Sequence, residues 1–249
     1  MRYFLEFSYA GTHYHGWQRQ SNAVSIQETM ENMLTTFFKK PIPLVAAGRT
    51  DTGVHAQQMF AHFQVINPIK DHIQWLYRAN QFLPNDIAVQ HLLRVNEEAH
   101  ARFDAIARTY QYHIKNIKSP FQNELYYCLY QDLSLDKMNK AAQTLMEYED
   151  FECFSKSNTD VKTFLCKISS AKWEKTKNGY IFTITANRFL RNMVRAIVGT
   201  LIEIGLNKKT IEDLHNIIQS KNRSEAGFSV PARGLFLTQI TYPESVFIK

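Results

Sequence analysis

The sequence predicts an α+β protein made of two tandem β-α-β-β-α-β units with mainly antiparallel sheets. Three observations carry this. Strand-period and helix-period segments follow one another in the same order twice, turn and capping signals fall at their junctions, and 249 residues with 45% apolar content suffice for two packed cores. In the first unit, Tyr3, Leu5, Phe7 and Tyr9 alternate with Arg2, Glu6 and Ser8, the period of a half-buried strand. Ser25 followed by Glu28 is a capping box that starts a helix carrying Ile26, Met30, Met33, Leu34, Phe37 and Phe38, and Pro41 and Pro43 stop it. A short apolar strand at residues 44–47, the loop 48–53 and an alternating strand with Met59, Ala61, Phe63 and Val65 come next. A helix at about 71–82, the turn Leu83-Pro84-Asn85-Asp86 and a strand at 87–95 complete an order described as ferredoxin-like.

The second unit repeats the plan. A strand places Tyr110, Tyr112 and Ile114 on one face and is followed by a helix at about 135–146. Strands at about 164–174 and 180–186 are joined by Lys177-Asn178-Gly179, a hairpin signal. A long helix at about 189–204, a shorter one at 211–219 and a strand at 235–241 close the chain. The expected domains are residues 1–103 and 104–249. Two packed units leave a cleft, and the net charge of +6 predicts a positively charged one that attracts polyanions.

The three cysteines, Cys128, Cys153 and Cys166, form no Cys-x-x-Cys pair, which argues against a disulfide framework and a thiolate zinc site and fits a reducing compartment. Glu6 interrupts what would be the apolar core of a signal peptide, and no segment is apolar over the ~18 residues that a membrane helix needs. A cytoplasmic protein without a membrane anchor is expected.

The densest polar cluster is Gly48-Arg49-Thr50-Asp51-Thr52-Gly53, between two strands. Asp51 suits a nucleophile or general base there, or equally a turn formed with its own backbone, and Arg49 suits a phosphate contact or a solvated position. His13 and His15, with Asp51 or His55, offer a weak divalent-metal pattern that a phosphoesterase would use. Arg191 and Arg195 lie four apart on the expected helix and could clamp a phosphate or carboxylate. Tyr110 and Tyr112 read as core or as base-stacking aromatics, and Gly16-Trp17-Gln18-Arg19-Gln20 as a base-reading loop or an ordinary surface loop. A non-catalytic RNA-binding protein would explain the charge and the aromatics without needing Asp51.

Taken together, these motifs resemble the A-type tRNA pseudouridine synthases. Gly16-Trp17-Gln18-Arg19-Gln20, Ser25-Ile26-Gln27-Glu28, Gly48-Arg49-Thr50-Asp51-Thr52-Gly53-Val54-His55-Ala56, Leu83-Pro84-Asn85-Asp86-Ile87, Ala101-Arg102-Phe103, Arg108-Thr109-Tyr110-Gln111-Tyr112, Asn192-Met193-Val194-Arg195 and Gly234-Leu235 appear in the family's order. Gln58-Met59 and Ala186-Asn187-Arg188 depart from its pattern. The resemblance implies isomerisation of uridine at positions 38, 39 and 40 of the tRNA anticodon stem-loop by a homodimer, with no cofactor and no metal. By motif, Asp51 matches the family's nucleophile, Arg195 the arginine paired with that carboxylate, Tyr110 the tyrosine against the target base and Arg49 the arginine that helps expel the nucleotide.

Overall fold

The computed structural model describes residues 1–120, 123–157 and 161–248. The chain divides into two compact units, Met1–Ile106 together with the residues from Leu237 onward, and Ala107–Phe236. The architecture is mixed α/β, with mostly antiparallel strand pairing and five α-helices among the described residues.

In the first unit β1 (Arg2–Tyr9) lies between β3 (His55–Gln64) and β4 (Ile87–Val95), and β2 (Val45–Ala46) lies on β3, every pair antiparallel. Helix α1 (Ile26–Phe38) starts where Ser25 Oγ accepts the Glu28 N–H at 3.2 Å, and α2 (His72–Phe82) where Asp71 accepts the Gln74 N–H at 2.8 Å. These side chains satisfy amide groups that a first helical turn leaves without partners.

The alternation in β1 conceals a second buried face. Phe4 falls on the side of Arg2, Glu6 and Ser8, yet it is fully buried against the rings of Phe60, Tyr242 and Phe247. Its cover comes from the C-terminus. Residues 237–241 of β9 (Leu235–Thr241) run beside β3, and the Gln58 side chain accepts the Ile240 N–H while donating to Glu6, both at 2.8 Å. The first unit thus takes in a C-terminal segment that the expected division at residue 104 assigns to the second. The Gln58 departure is absorbed inside the sheet as a link between strands.

In the second unit β5 (Ala107–Lys115), β8 (Gly179–Ala186) and β7 (Ile168–Thr176) pair antiparallel in that order, and the unexpected two-residue β6 (Tyr127–Cys128) adds parallel to β5. The β7–β8 hairpin turns through Lys177 and Asn178. Gly179 follows at φ +152°, where a Cβ would stand 2.0 Å from the Ile114 carbonyl, so only glycine fits. Helices α3 (Leu135–Thr144), α4 (Met193–Gly205) and α5 (Ile211–Ser220) belong to this unit. Helix α4 is buried nearly all round, as its apolar content dictates.

Candidate active site

Asp51 sits on a loop whose backbone is fixed from several directions within the first unit. The Trp17 N–H donates to Thr50 O at 3.2 Å, the Val54 N–H to Asp51 O at 3.1 Å and the Ala47 N–H to Phe60 O at 2.8 Å. Tyr9 and Thr50 share a hydroxyl–hydroxyl hydrogen bond of 2.8 Å inside the core. Gly16, at φ +81°, lies so close that a Cβ there would stand 2.4 Å from Thr50 O, and Gly11 is pressed equally hard on Val54 O. The Gly11–Gly16 stretch is anchored in turn by the 83–86 turn, since Ala10 N–H donates to Asp86 O at 2.9 Å and Tyr14 Oη to Asp86 Oδ1 at 2.7 Å. Burial, with the adjacent Asp86 carboxylate, pushes the Tyr14 phenol well above its ordinary range and keeps it a donor. Buried Thr50 and Val54 flank the loop, while Asp51 itself stays partly exposed. A rigid loop presenting one carboxylate is what a nucleophile needs. Arg49, two residues away on the same loop, is exposed and makes no ion pair among the described residues.

Tyr110 and Arg195 belong to the second unit. Tyr110 lies on β5 opposite Ile184, partly exposed, with its ring edge-on to Phe189 at 5.1 Å between centroids. Two positions along the strand, Tyr112 is fully buried and donates its hydroxyl to Pro231 O at 2.8 Å. Burial raises the Tyr112 phenol, against the opposing pull of the Arg195 guanidinium nearby. The structure therefore separates two tyrosines that the sequence leaves equivalent: Tyr112 is core and Tyr110 keeps exposed surface. Arg195 stands in the first turn of α4, where its Nε donates to Val230 O at 2.7 Å and its own carbonyl accepts the Val230 N–H at 3.3 Å.

Two expectations are corrected by this geometry. Helix α4 begins at Met193 rather than near residue 189, because Asn192 adopts a left-handed conformation at φ 67°. Arg191 therefore lies outside the helix, and the four-residue helical spacing that suggested a two-arginine clamp does not apply. Trp17 does not offer a stacking surface, since it is 3% exposed and packs on Phe7 at 5.6 Å between centroids. Arg19 from the same motif faces Glu28 and Glu31 at 3.5 Å each. His13 and His15 are exposed, and among the described residues no group of three or more His, Cys, Asp or Glu is placed to hold a metal ion.

The Asn187 departure has a structural role. Its Oδ1 accepts the Lys167 N–H and its carbonyl accepts a guanidinium N–H of Arg108, both at 2.8 Å, which ties the end of β8 to the starts of β7 and β5. The sequence alone does not point to Arg223 and Ser229, which brace the segment holding Arg195. Nothing local marks them, since Arg223 bonds to the irregular stretch that follows it and only folding brings that stretch to Asn192 and Arg195.

Within the first unit a rigid loop presents a partly exposed carboxylate, and within the second a partly exposed tyrosine lies on a strand and an anchored arginine on a helix, side chains of the kind that enzyme sites use. A sequence profile described as tRNA pseudouridine synthase matches residues 7–104 and 141–243. The chain belongs to this family, isomerases that convert uridine in tRNA to pseudouridine. Among its relatives, a protein named tRNA pseudouridine synthase A from Bacteroides fragilis is 49% identical over 247 residues, covering 99% of this chain and 98% of the relative. The proteins of the same name from Porphyromonas gingivalis and Staphylococcus aureus are 46% and 35% identical, covering 99% and 100% of this chain and 99% and 94% of their own lengths. No helix among the described residues is long and apolar enough to cross a membrane.

Proposed function

We propose that this chain isomerises uridine to pseudouridine at positions 38, 39 and 40 of the tRNA anticodon stem-loop, as a cytoplasmic homodimer, with Asp51 as the nucleophile. The observation that carries the reading is the Asp51 loop, where Gly16, Trp17 and the Tyr9–Thr50 hydrogen bond fix the backbone around a partly exposed carboxylate. A turn that needed only its own Asx hydrogen bond would not require a second loop pressed against it. The proposal includes two ferredoxin-like units and a positively charged cleft. The order β4-β1-β3, with β2 also paired to β3, supports a ferredoxin-like first unit, and the net charge of +6 supports the cleft.

In the proposed reaction the target nucleotide is turned out of the stem-loop at a cost of a few kcal/mol, offset by stacking on Tyr110 and by phosphate contacts that include Arg49. Arg195 pairs with Asp51 and keeps it ionised as the base excludes water. Asp51 forms and later releases a covalent bond to the nucleotide. The C1′–N1 bond breaks, the uracil turns, and C5 bonds to C1′. The proton lost from C5, whose removal the Tyr110 hydroxyl assists, is matched by the proton gained at N1, so no external reactant is consumed.

Carbodiimide mapping of unmodified tRNA incubated with this chain alone tests the reading. Pseudouridine confined to positions 38 to 40 is expected. Its absence, or its appearance elsewhere in the tRNA, would overturn the site assignment.

A further inference from the structure

Resting on the role just given to Arg195, we propose that Arg223 and Ser229 are positioning residues for the isomerisation, setting the direction of the Arg195 guanidinium through residues 227–231. Arg195 does not hold itself. The Val230 carbonyl takes its Nε at 2.7 Å, which fixes the guanidinium plane and the direction of its two terminal nitrogens. The placement of that carbonyl therefore decides where the arginine can pair with a carboxylate.

Residues 227–231 are zipped onto α4. Gly227 N–H donates to Thr200 Oγ1 at 2.9 Å, and a Cβ on Gly199 would stand 1.8 Å from Phe228 O, so helix and segment touch backbone to backbone. At the far end Pro231 O accepts the Tyr112 hydroxyl at 2.8 Å, two positions from Tyr110 on β5. One short segment thus connects the strand of the stacking tyrosine to the arginine. It has no strand or helix of its own to hold its shape, and Arg223 supplies that support. Its Nη1 donates to Gly227 O at 3.2 Å and to Ala226 O at 3.5 Å, while Nη2 donates to Ser229 Oγ at 2.8 Å. Ser229 Oγ also accepts Asn192 Nδ2 at 2.7 Å, from the residue whose left-handed conformation starts α4. The planar guanidinium of Arg223 bridges carbonyls and a hydroxyl at once, which neither lysine nor glutamine can reproduce. A small shift of this bridge moves Val230, and with it Arg195, by a distance that matters to chemistry and little to RNA affinity.

The test compares Arg223→Gln, Ser229→Ala, Arg195→Gln and the Arg195→Gln/Arg223→Gln double variant in the full chain, by single-turnover rate on tRNA and by tRNA Kd. Arg223→Gln and Ser229→Ala are expected to slow the single turnover by roughly 10- to 100-fold. Their Kd values should stay within about threefold of the parent, a split between rate and binding that general unfolding does not give. The double variant should be no slower than Arg195→Gln alone, within about threefold, because Arg223 acts only through Arg195. If Arg223→Gln does not fold, Ser229→Ala decides alone. Parental rates for the Arg223 and Ser229 variants beside a slow Arg195→Gln, or a double variant slower by the product of the two single effects, would overturn the proposal while leaving the role of Arg195 intact. An Arg195→Gln variant as fast as the parent would instead refute the reading on which the proposal stands.

Discussion

Around Asp51 the protein fixes main chain with main chain: Gly16 and Gly11 press on the loop, and N–H to C=O bonds from Trp17 and Val54 close it. Around Arg195 the anchoring is carried by side chains: Arg195 Nε donates to the Val230 carbonyl, and Arg223 and Asn192 both donate to Ser229 Oγ one residue before it. The difference suits the two groups. A carboxylate on a short side chain is placed once its backbone is placed, whereas an arginine has several more rotatable bonds to restrain and needs a partner near its head.

The largest break in this contrast should come from Gly16→Ala. The residue sits at φ +81°, and its new Cβ would meet Thr50 O at 2.4 Å, so the loop carrying Asp51 must move. A loss of about 2 kcal/mol or more is expected from strain at such a position, a fall in Tm of roughly 5 °C. Single-turnover rate should fall by about 10²-fold as the carboxylate shifts. Gly48→Ala is the control. No atom lies within 4 Å of the place its added methyl group would take, so stability within about 0.5 kcal/mol of the parent is expected. Equal losses in both, read by thermal melts and rates, would show that the loop is not held by Gly16.

A smaller effect is expected from Tyr110→Phe, which sharpens the comparison on the side of the second unit. Phe retains the ring that meets Phe189 and any stacking on a base, so tRNA Kd should be unchanged, while loss of the hydroxyl slows product formation by about 10²-fold. A Phe variant as fast as the parent would leave Tyr110 with stacking alone.

The same contrast explains what could be read from the sequence. Residues 47–55 hold the loop's glycines, hydroxyls and carboxylate in one contiguous run, so the candidate nucleophile stands out before any fold is known. Helices α1 and α2 are equally legible because Ser25 and Asp71 announce their starts. The arginine bracket is not legible, because residues 192, 195, 223, 229 and 230 converge only on folding. Trp17 is misleading for a related reason: its polar neighbours suggest surface, yet its ring is drawn into the core by Phe7. Phe4 hides its burial because the rings that cover it, Tyr242 and Phe247, arrive from the opposite end of the chain.

The most direct test of the central claim is a single-turnover assay of Asp51→Asn with enzyme in excess over tRNA. Asn keeps the size of the side chain and its capacity for a turn hydrogen bond, but an amide attacks carbon poorly. The account predicts a folded variant by circular dichroism, tRNA binding equal to or tighter than the parent because a negative charge facing RNA is gone, and no pseudouridine formed. Product formation within about tenfold of the parent rate, a barrier change of only ~1.4 kcal/mol, would be too small for loss of a covalent catalyst and would contradict the assignment of Asp51 as nucleophile.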